Sequence, residues 1–176
     1  MAEKKGLTHF YYGYGKGKTT AATGLAVRAS GCGRKVVVVQ FLKNINSAEV
    51  AQLEKLGIKV LRGQATNAFS LNMTEEELAE TKRIHEENFA EAKEIIANGE
   101  CDMLVLDEVI DAYQLELIDK PAFENFVKNK PEELELVITG HKREEWLVDC
   151  ADYVTEALKI KHPFDKGIKA RKGIEY

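Results

Sequence analysis

Residues Gly13-Tyr-Gly-Lys-Gly-Lys-Thr-Thr20 constrain the fold more than any other stretch of the chain. Ahead of them, Leu7–Tyr12 reads as a first strand. Behind them, Thr19–Ser30 is Ala-rich and is stopped by Gly31 and Gly33, as a helix is. A glycine-rich turn between a strand and a helix points backbone N–H groups at an anion, and the helix dipole adds its positive end. In such a loop Lys18 reaches the β- and γ-phosphates of a nucleotide, and Thr19 holds Mg²⁺ through its hydroxyl. The loop departs from the usual pattern in one respect. Tyr12 stands where the first glycine is expected; Gly13, Gly15 and Gly17 follow it, and Lys16 adds a second cation. A surface turn with solvated lysines does not account for Gly-Lys-Thr in a strand–loop–helix setting.

The rest of the chain alternates strand-like and helix-like segments. Lys35–Phe41 is β-branched and apolar on both faces, the mark of a buried parallel strand. A short helix over Ala48–Leu56, stopped by Gly57, leads to a third strand at Ile58–Leu61. Met73–Ala97 is the longest expected helix. Thr74 and Glu77 form a capping box, and Leu78, Thr81, His85, Phe89, Ala92 and Ile96 share one face. On that face His85 reads as a satisfied core residue. Asp102–Asp107 and Glu135–Thr139 are further strands, and Tyr153–Leu158 is a sixth. One or two helices fit within Asp111–Lys130, with Pro121 at a helix start, and another within Arg143–Cys150. Alternation of this kind predicts an α/β fold with a parallel sheet.

At 176 residues the chain is expected to form one domain over residues 1–176, since domains run to roughly 100–200 residues. A composition that is 44% apolar and 31% charged excludes disordered and fibrous classes. The net charge of −4 argues against a nucleic-acid or polybasic membrane partner. Three cysteines without a CxxC argue against zinc and disulfide frameworks. No run is long enough to span a bilayer, and Met1–Gly6 lacks the apolar stretch of a signal peptide, so a cytoplasmic location is expected.

Two further motifs fall at expected strand ends. Asp102-Met-Leu-Val-Leu-Asp-Glu108 is an apolar strand ending in two acids, which resembles a Walker B pattern. Asp107 would lie near Mg²⁺; Glu108 is a metal ligand or a base for water. Val137-Ile-Thr-Gly-His141 ends the next strand at the edge where open α/β sheets bind ligands, so His141 either touches phosphate or sits in a surface turn. Phe69 and Leu71 lie in an irregular segment between the third strand and the long helix, a place where loops often carry function.

Taken together, these stretches resemble the ATP:corrinoid adenosyltransferases over nearly the whole chain. The resemblance is carried by the loop Gly13–Ala22, by Val38-Val-Gln-Phe-Leu-Lys43, by Ala65-Thr66 followed by Phe69, by Val105-Leu-Asp-Glu108, by Ile138-Thr-Gly140, and most specifically by the tail Lys161–Tyr176. It implies a three-layer, RecA-like P-loop NTPase fold with a mainly parallel sheet of about six strands, and a homodimer. It implies transfer of the 5′-deoxyadenosyl group of ATP to Co(I) of a reduced corrinoid, with release of triphosphate, in adenosylcobalamin biosynthesis or salvage. Co(I) is itself the nucleophile, so the protein is left with positioning and charge stabilisation. On this likeness Lys18 and Glu108 serve catalysis, and Thr19, Glu108 and Asp107 hold Mg²⁺. Gly13, Tyr14, Gly15, Lys16, Gly17, Lys18, Thr19, Thr20 and His141 bind ATP in a direction reversed from ordinary NTPases. Phe69 and Leu71 contact the corrinoid, and a flavoprotein reductase is the kind of partner that would supply electrons. The chain departs from the family at Phe69-Ser-Leu71, where a second aromatic is usual, and at Thr139-Gly-His141, where an arginine is usual.

Two other readings use the same residues. One is an ATPase or small-molecule kinase with Glu108 as base, which would release ADP. The other is a nucleotide- or corrinoid-binding protein without turnover.

Overall fold

The computed structural model describes residues 5–43, 47–66 and 73–175. Each expected strand forms, with ends shifted by a residue or two: β1 (Thr8–Tyr12), β2 (Val36–Gln40), β3 (Lys59–Arg62), β4 (Met103–Asp107), β5 (Glu135–Gly140) and β6 (Tyr153–Glu156). They pair in parallel throughout, in the order β3-β2-β4-β5-β1-β6. The helices are α1 (Lys18–Gly31), α2 (Val50–Lys55), α3 (Glu75–Ala97), α4 (Val109–Gln114), α5 (Lys120–Lys128) and α6 (Glu145–Cys150).

The unbroken apolar runs of β2 and β4 follow from burial on both faces; all five residues of each strand are buried. Odd and even positions feed two different cores. On one face Val36, Val38, Met103, Val105 and Val137 pack with Ala22 and Ala26 of α1 and Leu53 of α2. On the other, Val37, Val39, Leu104, Leu106 and Ile138 pack with Phe89 of α3, Ile110 of α4, Phe123 of α5 and Leu147 of α6. Three layers result, with the sheet in the middle. Trp146 joins this second core, with its ring 5.9 Å from those of Tyr113 and Phe123.

Helix α3 starts as its sequence requires. Thr74 Oγ1 accepts from the Glu77 amide at 3.2 Å, and Glu77 Oε2 accepts from the Thr74 amide at 2.8 Å. Its buried residues are Thr81, His85, Phe89 and Ala92, all on the expected face. Asp119 caps α5 by accepting from the Ala122 amide at 2.8 Å, and Pro121 lies in the first turn.

Because β5 stands between β1 and β4, the loop after β1 and the acids after β4 are not on neighbouring strands. The Thr19 hydroxyl, at the start of α1, reaches Asp107 across that gap, and Thr139 on β5 donates to the same carboxylate oxygen. The sixth strand, expected to run to Leu158, ends at Glu156 because Ala157 turns its carbonyl toward the amide of Gly15, which donates to it at 2.7 Å. Among the described residues no helix is long and apolar enough to cross a membrane.

Candidate functional site

The loop between β1 and α1 leaves the helix with an open N-terminus. Gly17, at the N-cap, has φ 117°, a conformation that favours glycine, and it has no side chain with which to cap the helix. No acid lies in the first turn of α1. The first amides of a 14-residue helix and its positive dipole end are therefore available to an anion. Gly15 is required for a different reason: a Cβ there would meet the carbonyl oxygens of Ala157 and Leu158 at 2.7 Å. The C-terminal segment is thus packed directly against the loop. Lys18 folds back, its Nζ donating to the Gly15 carbonyl at 3.0 Å, and burial pulls its pKa below the ordinary lysine value.

Beneath the loop lies a compact polar cluster. Asp107 is almost fully buried and accepts at Oδ1 from the Thr19 hydroxyl at 2.9 Å and the Thr139 hydroxyl at 2.8 Å. Its Oδ2 accepts from Lys43 Nζ. Lys43 Nζ also stands 3.4 Å from Glu108 Oε1 and 3.5 Å from Thr19 Oγ1. Burial lowers the Lys43 pKa, but the charges of Asp107 and Glu108 outweigh it and the net shift is upward. Glu108 is shifted upward by burial, against the pull of Lys43.

Two residues beside this cluster hold strained backbone. Glu108 has φ 60° and Leu42 has φ 55°, both in the left-handed region that non-glycine residues seldom visit. Each is held there by a hydrogen bond. The Glu108 amide donates to Thr139 Oγ1 at 2.8 Å, and the Leu42 amide donates to His85 Nε2 at 3.2 Å. Strain of this kind gathers at functional sites, where the surroundings over-determine it.

On the opposite rim His141 follows β5. Its Nδ1 is 3.0 Å from Asp111 Oδ1, and its amide donates to Asp111 Oδ2 at 3.2 Å. The hydrogen bond to Asp111 raises the His141 pKa above the ordinary value of 6.5, against burial. The Tyr14 ring lies 5.8 Å from that of His141.

These parts enclose one open cavity of about 1040 Å³, lined by Tyr14 to Thr20, Lys43, Glu108, Asp111 and His141, and by His162 and Glu175 from the C-terminal segment. Gly13 lines a smaller adjoining cavity of about 390 Å³, also bordered by Tyr14 and His141. Asp107 lies below the cavity floor rather than on its lining. Of the residues expected from sequence, all the loop residues, Asp107, Glu108 and His141 are brought together. Phe69 and Leu71 lie outside the described residues.

Four participants were not singled out by sequence. In sequence Lys43 is only part of a family-like stretch. Asp111 stands one helical turn after Glu108, a spacing that could have flagged it. Glu175 lies within the family-like tail Lys161–Tyr176 without standing out there, and Ala157 gives no local signal. The Glu175 carboxylate is held well below the usual range, at about 2, first by hydrogen bonds from the Arg171 side chain and amide and then by Lys16, whose Nζ is 3.0 Å away.

Comparison with known sequences agrees with the geometry. The family described as ATP:corrinoid adenosyltransferase BtuR/CobO/CobP matches residues 4–176. The chain is similar to the corrinoid adenosyltransferase of Escherichia coli strain K12, with 31% identity over 99% of this chain and 87% of that protein. It is also 33% identical to a corrinoid adenosyltransferase of Sinorhizobium sp, over 99% of this chain and 82% of that protein. Similarity to the corrinoid adenosyltransferase CobA of Salmonella typhimurium is 32% identity, over 99% and 87% respectively.

Proposed function

The chain belongs to the ATP:corrinoid adenosyltransferase family, and from that premise we propose that it transfers the 5′-deoxyadenosyl group of ATP to Co(I) of a reduced corrinoid. The cobalt supplies the electron pair, a Co–C5′ bond forms, the C5′–O5′ bond breaks, and triphosphate leaves with that bonding pair. Cobalt is formally oxidised from Co(I) to Co(III). No proton moves in this step, so no general base is required.

The observation that carries the reading is the uncapped, acid-free N-terminus of α1 opening into a cavity of about 1040 Å³ beside two lysines. Ligand pockets commonly span about 300–1,000 Å³, so this one has room for a nucleotide and part of a second substrate. Loop amides and the Lys18 and Lys16 ammonium groups stabilise the negative charge that grows on triphosphate as it leaves. His141, held by Asp111, adds a donor at the opposite rim. Glu108 sits where a base for water would sit in a phosphoryl-transfer enzyme; here its task is to hold a cation.

The donor set suits a hard cation. Thr19 hydroxyl, Asp107 and Glu108 carboxylates surround one cationic position, now held by Lys43 Nζ. Among the described residues no group of three or more His, Cys, Asp or Glu side chains is arranged to hold a metal ion, so the set here is two carboxylates completed by a hydroxyl. Two carboxylates, a hydroxyl and nucleotide phosphates fit Mg²⁺, which usually takes few protein ligands and keeps phosphate and water. When bound there, Mg²⁺ would neutralise phosphate charge.

Phe69 and Leu71 are proposed to lie against the corrinoid and keep water from its lower face. A flavoprotein reductase would supply the electrons that make Co(I). A homodimer is also proposed, and large apolar side chains left exposed on the C-terminal segment, among them Ile160 at 86% and Phe164 at 72%, support it. The reading is tested by mixing protein, Mg²⁺, ATP and chemically reduced cobalamin without oxygen. The Co(I) absorption should give way to a light-sensitive alkylcobalt spectrum. A Co(I) spectrum that persists while ATP is bound would refute it.

A further inference from the structure

Lys43 is a confined charge at the edge of the site. Its side chain is 17% exposed, a severe confinement for an ammonium, and it is wedged between Asp107 at 2% and Glu108 at 26%. Loop turns that merely border a cavity do not bury a lysine this way. The chain spends backbone strain to place it: Leu42, the preceding residue, is held at φ 55° by the buried imidazole of His85. Without a cation between them, two adjacent carboxylates, one of them buried, repel. One ammonium leaves the pair with a net charge of −1, which a divalent ion would neutralise in full.

The three oxygens that Lys43 touches belong to Thr19, Asp107 and Glu108, the set read above as the metal site. We propose that Lys43 is the resident counter-ion of this site, holding its oxygens in place before nucleotide arrives and giving up that position to the metal. Lysine suits the task better than arginine. Its charge is compact and rides on a flexible four-carbon stem, so it can leave without disturbing the fold. Lys43 also lines the main cavity, so the displaced ammonium stays beside the triphosphate. The role is a positioning one, and it rests on the metal-site reading given above.

The melting comparison needs neither ATP nor corrinoid. Wild type, Lys43→Met and Lys43→Met/Glu108→Gln are melted in EDTA and again with Mg²⁺ alone. Methionine keeps the unbranched apolar stem and removes the charge. Breaking a buried pair in this way should lower the EDTA melting temperature of Lys43→Met by on the order of 10 °C. Mg²⁺ alone should return most of that loss, while shifting wild type much less. The double variant, with one negative charge fewer, should recover stability in EDTA and lose the Mg²⁺ response. If Lys43→Met is too unstable to melt, the double variant still decides, because it should fold. Lys43→Met melting with wild type in EDTA, equal Mg²⁺ shifts in both, or a double variant no more stable than the single one would overturn the proposal. Failure of the metal-site reading itself shows differently: the Mg²⁺ requirement for ATP binding by a Glu108→Gln single variant would match wild type.

Discussion

Mild acid should weaken this fold through one histidine. His85 is fully buried on α3; its Nε2 accepts from the Leu42 amide at 3.2 Å, and its Nδ1 lies 3.3 Å from the Leu117 carbonyl oxygen. That pairing puts the single proton on Nδ1. Burial pushes the pKa from 6.5 down to about 4. The unfolded chain therefore takes up a proton below 6.5 that the folded chain refuses until about 4. The contribution is complete above pH 6.5 and is lost as pH falls toward 4. In full it is worth about 3 kcal/mol, and about 2 kcal/mol of it should be gone by about pH 5. Urea unfolding of wild type and His85→Leu at about pH 7.5 and about pH 5 isolates this share from that of the carboxylates. At the higher pH the variant should be weaker by about 1–3 kcal/mol, because the Leu42 amide is left without an acceptor. Between the two pH values, wild type should lose about 2 kcal/mol more than the variant. Equal losses would refute the neutral, buried imidazole, and with it the account of how Leu42 and Lys43 are aimed.

Other consequences are simpler to read. Lys18→Ala should lower turnover by about 10²–10³, equivalent to about 2.7–4 kcal/mol of charge stabilisation, with little change in melting temperature; unchanged turnover would remove Lys18 from the site. Gly15→Ala places a Cβ within 2.7 Å of two carbonyl oxygens of the C-terminal segment. Overpacking of that size is worth about 1–3 kcal/mol, and ATP titration should show weakened binding; wild-type melting and binding together would contradict the packing of this segment on the loop. Glu175→Gln frees Lys16 from a competing carboxylate, so ATP should bind a few-fold more tightly in isothermal titration, and weaker binding would show that Glu175 supports the loop instead.

The sequence made some features legible because their causes are local. Continuous β-branched runs marked β2 and β4, and the Thr74–Glu77 pair marked the start of α3, since burial and capping act within a few residues. The glycine-rich loop between β1 and α1 was legible for the same reason. His85 reads as a core residue from its place on an apolar helix face, but the amide it satisfies belongs to Leu42, 43 residues away. Lys43 meets Asp107 across 64 positions and Lys16 meets Glu175 across 159. No local pattern encodes such pairs; the strand order creates them. Pairing β5 beside β4 likewise brought the Thr139 hydroxyl to Asp107 and the Glu108 amide, which its own neighbours in sequence do not announce.

The central claim is that the bond broken in ATP is C5′–O5′. Phosphorus NMR of a single-turnover mixture with Co(I) corrinoid and Mg²⁺ tests it most directly. The account predicts inorganic triphosphate as the only new phosphate species, formed in step with the alkylcobalt spectrum. ADP with inorganic phosphate, or AMP with pyrophosphate, would place the cleavage at phosphorus and contradict it.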